Sequence, residues 1–144
     1  MTSHLEILVC TIDEGINKIP QLLCQPVSFV SYLVSWQQSV ENVKDIPIPE
    51  ELAKRNDVKI ITINGKGLSA NRNLALEKAT SELVMFVDDD THIEKEAFDV
   101  IFQLFDENKD LDIAFFQAST YNGVLLKPYP IEETVIDGMP ENYA

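Results

Sequence analysis

The chain has 144 residues, 45% hydrophobic and 24% charged, which suits one compact globular domain and excludes a disordered chain or two full domains. Its 24 acidic against 11 basic residues leave a formal net charge of -13, which excludes nonspecific binding to a nucleic acid backbone or to anionic lipid. A small phosphorylated ligand stays compatible with that charge, because backbone amides and a divalent cation supply local positive field.

Cys10 and Cys24 are the only cysteines, both in apolar surroundings and without CxxC spacing, so neither a disulfide framework nor a zinc site is expected. Met1 to Glu6 lacks the basic and long apolar segments of a secretory signal, and no run reaches the roughly 18 apolar residues of a membrane span. The expected location is the cytoplasm, and peripheral association with the inner face of the membrane is compatible with it.

Leu5 to Cys10 is a short apolar run ending in Thr11-Ile12-Asp13-Glu14-Gly15, which predicts a buried strand turning into a short helix that Pro20 breaks. Val27 to Trp36, rich in β-branched and aromatic residues, predicts a second strand. Asn42 to Pro49 reads as loop and Glu50 to Arg55 as an exposed helical turn. Val58 to Ile63 predicts a third strand, followed by the turn Asn64-Gly65-Lys66-Gly67 and a helix over Ala70 to Ala79, with Ser69 as its N-cap.

Leu83 to Val87 predicts a fourth strand running straight into Asp88, Asp89 and Asp90. Thr91-His92-Ile93-Glu94 has a capping-box pattern and leads Ile93, Ala97, Ile101, Phe102 and Phe105 along one helical face. The Phe98, Phe102 and Phe105 stripe belongs to the core by its spacing. Leu111 to Thr120 reads as a fifth strand, Asn122-Gly123 as a turn, and Val124 to Lys127 as a sixth strand; Pro128 to Ala144 has little periodicity. Strands alternating with helices predict an α/β fold, a mostly parallel Rossmann-like sheet flanked by helices, over a single domain spanning 1–144. In such a sheet ligands bind beyond the carboxyl ends of the first and fourth strands, where Thr11 to Glu14 and Asp88 to Asp90 lie.

Three aspartates ending an apolar strand repel one another unless water or a cation compensates. If the extended geometry continues, Asp88 and Asp90 point to one side, about 7 Å apart, and Asp89 to the other. Two carboxylates on one side suit magnesium or manganese bridging the phosphates of a nucleotide diphosphate. The plainer alternative is that acids gather before a helix because its N-terminus favours negative charge. Gly67 to Leu76 adds free amides at a helix start and places Arg72 in the first turn, suited to a phosphate or a base rim, or simply to solvent.

The strand ending in Thr11-Ile12-Asp13-Glu14, then Gly67-Leu68-Ser69 with Arg72-Asn73 and Ala75-Leu76, then Phe86-Val87-Asp88-Asp89-Asp90, resembles the family 2 glycosyltransferases of GT-A fold. The stretch from Gly67 to Asp90 is the specific part. The resemblance implies inverting transfer of a sugar from a nucleotide donor, usually a UDP-sugar, with a magnesium or manganese ion, to a glycan or other hydroxyl acceptor. By position it implies Thr11, Asp13 and Glu14 near the base, Arg72 on base or phosphates, Asp88 or Asp89 on the ribose, and Asp90 on the metal, with Asp88 a second metal candidate.

The family often has an acidic pair after its second strand; this chain has Ser35-Trp36-Gln37-Gln38, where Gln37 offers hydrogen bonds to a base edge. The family's domain usually continues into an acceptor region that supplies a carboxylate base. Glu132, Glu133, Asp137 and Glu141 match no such segment, so the catalytic base is unknown and a truncated C-terminus is expected. A non-catalytic nucleotide-binding module is therefore an alternative. A second is an aspartyl-nucleophile phosphatase, to which Asp88-Asp89-Asp90-Thr91 invites comparison. In that family the Thr or Val stands two places after the second Asp, whereas Thr91 is one place after Asp90. Near the same rim, His92 offers a contact to a metal or phosphate but reads rather as first-turn packing, and Lys66 offers a phosphate contact but reads rather as a solvated turn residue; His4 reads as a terminal surface residue.

Overall fold

The computed structural model describes residues 4–39, 45–120 and 122–124. Contacts group the chain into two units, Met1–Glu107 and Asn108–Ala144. In the first unit, four parallel strands stand in the order β3-β2-β1-β4, with β1 Leu5–Ile12, β2 Val30–Gln38, β3 Val58–Asn64 and β4 Leu83–Asp88. β1 is central and buried from Leu5 to Thr11 on both faces, which accounts for its unbroken apolar run.

Connection handedness distributes the helices. A 3₁₀ helix, Asp13–Lys18, and α1, Ile19–Leu22, lead from β1 to β2; α2, Glu50–Ala53, leads from β2 to β3. Ile16, Ile19 and Leu52 from these segments join Leu5, Ile7, Val9, Tyr32, Val34 and Trp36 on one face of the sheet, with Phe98 and Ile101 of α4, Lys95–Glu107. The next crossover runs from β3 back past β2 and β1 to β4, and right-handed connection then places its helix on the opposite face. That helix is α3, Leu68–Lys78, whose Ala75 packs on Leu8, Cys10 and Leu33. Reversal of direction makes the gap between β1 and β4 the switch point, and their carboxyl ends the natural ligand rim.

Four local differences from the sequence expectations stand out, three of them with identifiable causes. The second strand starts at Val30 rather than Val27, because Val30 N–H bonds to Val27 C=O and Phe29 takes φ 65° in a tight turn. α3 is preceded by Gly67 at φ 130°, without a side-chain cap, so Ser69 lies inside the helix. α4 starts at Lys95, so Thr91 does not cap it; its hydroxyl bonds to Asp90 instead. In the second unit Leu111 to Thr120 forms no strand, carrying only an isolated bridge at Ser119. The Asn122-Gly123 turn is present, with Gly123 at φ 78° and its N–H bonded to Thr120 C=O at 2.8 Å. Of the expected sixth strand, residues 125–127 lie outside the described residues, as do Glu132, Glu133, Asp137 and Glu141.

A partly buried ion pair braces the opposite end of the sheet. Arg55 donates to both oxygens of Asp57, at 2.9 and 2.6 Å, and to Cys24 C=O at 2.8 Å, with its guanidinium 5.4 Å from the Tyr32 ring centre. The hydrogen bonds from Arg55 hold the Asp57 carboxyl below its ordinary range, and burial pushes the Tyr32 hydroxyl up to about 12.

Candidate functional site

Strand geometry stops at Asp88, because the chain turns through Asp89 and Asp90 and Thr91 N–H closes on Asp88 C=O at 3.1 Å. The alternation expected of a continuing strand therefore does not apply, and each aspartate meets a different surrounding. Asp88 lies 2.9 Å from Arg72 Nη2, an ion pair with side chains 64% and 41% exposed, whose value is set by geometry more than by strength. Asp89 accepts a hydrogen bond from Thr11 Oγ1 at 2.7 Å, joining the ends of β4 and β1. Asp90 is exposed and, among the described residues, bonds only to the neighbouring Thr91 hydroxyl, at 3.3 Å. It is the carboxylate of the three without a cation or an anchoring strand.

Gly15 makes this arrangement possible. A Cβ at that position would overlap Thr11 Oγ1 and come within 2.9 Å of Asp89 Oδ2, so the first turn of the 3₁₀ helix lies directly over the Thr11–Asp89 bond.

Asp13 occupies a left-handed conformation, φ 50°, which a non-glycine residue adopts at a cost. Local bonds hold it there. Ser39 donates to it through both N–H, at 2.8 Å, and hydroxyl, and Trp36 Nε1 donates to Asp13 C=O at 2.9 Å. The Ser39 hydrogen bonds, helped by the charge of Lys66, hold the Asp13 carboxyl below its ordinary range. Glu14 beside it is exposed. Gln37 is buried, and its amide donates to Gly67 C=O at 3.0 Å, tying β2 to the start of α3. Thr11, Asp13, Glu14, Arg72, Asp88, Asp89 and Asp90 thus share the carboxyl rim of the sheet, while Gln37 braces it from beneath.

His92 leaves this rim: its Nδ1 carries the proton to Leu22 C=O, 2.7 Å away, and so joins the end of α1 to the segment after the aspartates. Cys10, below the aspartates, is buried, and its thiol is pushed up to about 11 by that burial, with Asp88 and Asp89 adding to the effect and Arg72 opposing it.

Among the described residues, no group of three or more His, Cys, Asp or Glu side chains converges on one metal position. That donor set does not fit a cage built wholly from protein. It fits a magnesium-type ion, which takes one or two carboxylates and fills its remaining positions with water and substrate phosphates. Among the described carboxylates of the rim, Asp90 would have its oxygens open to such an ion, whereas Asp88 would have to share itself with Arg72. The rim carries Asp13, Glu14 and the three aspartates against Arg72 and Lys66, an excess of negative charge that a bound cation would reduce.

Sequence reasoning passed over Asn71, Gly15 and Ser39. Asn71 left a signal, since Gly67, Asn71, Ala75 and Ala79 recur every four residues and a polar residue in a stripe of small ones marks a buried contact. Gly15 and Ser39 left none, because their roles depend on partners many residues distant.

Comparison with known proteins agrees with this architecture. The family model described as glycosyl transferase family 2 matches residues 38–139. The solved structure of S. aureus TarS is similar with a TM-score of 0.58 and 23% identity, covering 74% of this chain and 20% of that one. The structure of S. aureus TarS 1-349 gives a TM-score of 0.55 and 23% identity over 74% of this chain and 33% of that one. The chain thus spans between one fifth and one third of these structures, and the likeness establishes the fold. No curated protein matches the chain. No helix among the described residues is long and apolar enough to cross a membrane.

Proposed function

The chain belongs to glycosyl transferase family 2, and on that premise we propose that its Met1–Glu107 unit is the donor-binding part of a metal-dependent, inverting glycosyltransferase that uses a UDP-sugar. One observation carries the reading: Asp88, Asp89 and Asp90 stand at the switch point in three different surroundings, paired with Arg72, bonded to Thr11, and, among the described residues, held only by the adjacent Thr91 hydroxyl. A nucleotide diphosphate needs a cation, a rigid edge for its ribose and a positive group for its phosphates, and Asp90, Asp89 and Arg72 have the chemistry suited to these in turn.

Asp90 is assigned the metal, with Asp88 as a second ligand. When bound, magnesium or manganese supplies positive charge that offsets the charge developing on the departing diphosphate. Asp89, immobilised by Thr11, is suited to accept hydrogen bonds from a ribose hydroxyl. Arg72 has five N–H donors, so engagement with Asp88 leaves others for a phosphate oxygen. The first-turn amides of α3 point toward the same rim and favour an anion. Asp13, Glu14 and Lys66 border the place assigned to the base, and Gln37 supports it through Gly67 rather than facing it. The acceptor is proposed to be a glycan or another hydroxyl.

Calorimetry with UDP tests the reading. Binding that requires manganese and vanishes in Asp90→Ala supports it, and an absence of UDP binding with manganese present overturns it. Hydrolysis of a phosphate monoester that survives Arg72→Ala would point instead to an aspartyl-nucleophile phosphatase. Transfer needs its own assay, because binding alone does not establish turnover.

A further inference from the structure

α3 is held on the sheet by little apolar contact. Ala75 supplies its buried apolar side chain, whereas Leu68 and Leu76 are 53% and 50% exposed. Small side chains leave a helix free to roll, so something else must set its rotation. Asn71, 2% exposed and on the buried face, does this with one amide nitrogen. Its Nδ2 donates to Thr11 C=O at 3.2 Å and to Ser35 C=O at 3.1 Å, so the two hydrogens of one group engage two adjacent strands. Asparagine is a poor helix former compared with alanine, so propensity does not account for it there.

The residues on either side of these bonds are site residues. Thr11, whose carbonyl Asn71 holds, donates through its hydroxyl to Asp89. Arg72, next in the chain, pairs with Asp88. A ring of contacts therefore runs from Asp88 through Arg72 and Asn71 to Thr11 and Asp89, and closes through the β4 backbone. With side chains a helix has a radius of about 5–6 Å, so a roll of about 20° would move a side-chain tip by about 2 Å. That is enough to break the Arg72–Asp88 contact.

We propose that Asn71 is a positioning residue which locks the rotation of α3 and thereby aims Arg72 at Asp88 and at the donor diphosphate. The diphosphate part of this statement rests on the donor-site reading above, whereas the aiming of Arg72 does not.

The test uses the full chain with two variants, Asn71→Ala, which removes both donors, and Asn71→Ser, whose hydroxyl reaches one carbonyl at most. Two quantities are measured beside a thermal melt: hindered rotation of the Arg72 guanidinium by ¹⁵N NMR without ligand, and affinity for UDP in manganese chloride. The expected result is faster guanidinium rotation in Asn71→Ala with the chain still folded. UDP affinity should fall about tenfold, the loss expected for a hydrogen bond of about 1.4 kcal/mol. Asn71→Ser should fall between the two, and it carries the test if Asn71→Ala does not fold. Unchanged guanidinium rotation together with unchanged UDP affinity in a folded variant overturns the proposal. If the wild-type chain does not bind UDP with manganese, the donor-site reading fails, and guanidinium rotation alone decides the role of Asn71.

Discussion

Replacing Gly15 with alanine should release Asp89 from Thr11 without changing either residue. The added methyl overlaps Thr11 Oγ1 and approaches Asp89 Oδ2 to 2.9 Å, so the Thr11–Asp89 hydrogen bond must break or the 3₁₀ helix must lift. A hydrogen bond to a charged group contributes about 1.5–3 kcal/mol, and Asp89 is partly exposed, so about 1.5 kcal/mol is the expected cost of Gly15→Ala. Thr11→Ala loses the same bond and a buried methyl worth about 0.8 kcal/mol, so about 2 kcal/mol in all. In the Thr11→Ala background the obstructing oxygen is gone, the untethered Asp89 can turn its Oδ2 away from the 2.9 Å approach, and the new methyl meets the Cβ at position 11 at an ordinary 3.6 Å. The double variant should therefore be about as stable as Thr11→Ala alone, with a coupling of about 1.5 kcal/mol. Urea unfolding followed by the fluorescence of Trp36, the single and buried tryptophan, measures all four corners of the cycle. Additivity within about 0.5 kcal/mol would refute the steric argument.

The Arg55–Asp57 pair gives a pH signature. Because Arg55 depresses the Asp57 pKa from its ordinary 3.8, the pair stabilises the fold above that value, and the contribution is lost as pH falls through the lower folded-state pKa. The stability gap between wild type and Asp57→Asn should thus be full at about pH 6 and narrow as pH falls below 3.8 through the lowered folded-state pKa; a gap that does not change with pH there contradicts the assignment. The thiols give another. Burial raises both Cys10, to about 11, and Cys24, so at pH 8 about one Cys10 in a thousand is a thiolate. Iodoacetamide should label both only as fast as the chain unfolds, and rapid labelling of the native protein would show the burial to be wrong.

The parts of the fold that could be read from the sequence are those with strong local signals. β1, β3 and β4 are short apolar runs bounded by turn residues, and each lies within one residue or two of its expected position. The carboxyl rim followed from the strand order. What escaped was set by geometry at element ends: the Phe29 turn that delays β2, the Gly67 conformation that replaces a Ser69 cap, and the turn at Asp89 that ends side-chain alternation. Leu111 to Thr120 shows the limit of composition, since apolar and aromatic residues there suggest a strand that the chain does not form. Glu6 is a related case. It sits buried in β1 because its carboxylate accepts Thr80 N–H at 2.7 Å and Ser81 N–H at 3.3 Å, partners over seventy residues away. Motif spacing identified the aspartates as a unit; only the fold separates them into one paired with Arg72, one tethered to Thr11 and one bonded to its neighbour Thr91.

That division leads to one measurement. With Asp90 the only aspartate of the three that no described residue outside its own turn anchors, the rim should hold manganese poorly alone and well when a diphosphate completes the coordination. Electron paramagnetic resonance titration of manganese should show binding that strengthens at least tenfold on adding UDP, not on adding uridine, and not in Asp90→Asn. Equal manganese affinity with and without UDP, or full retention in Asp90→Asn, would contradict the account.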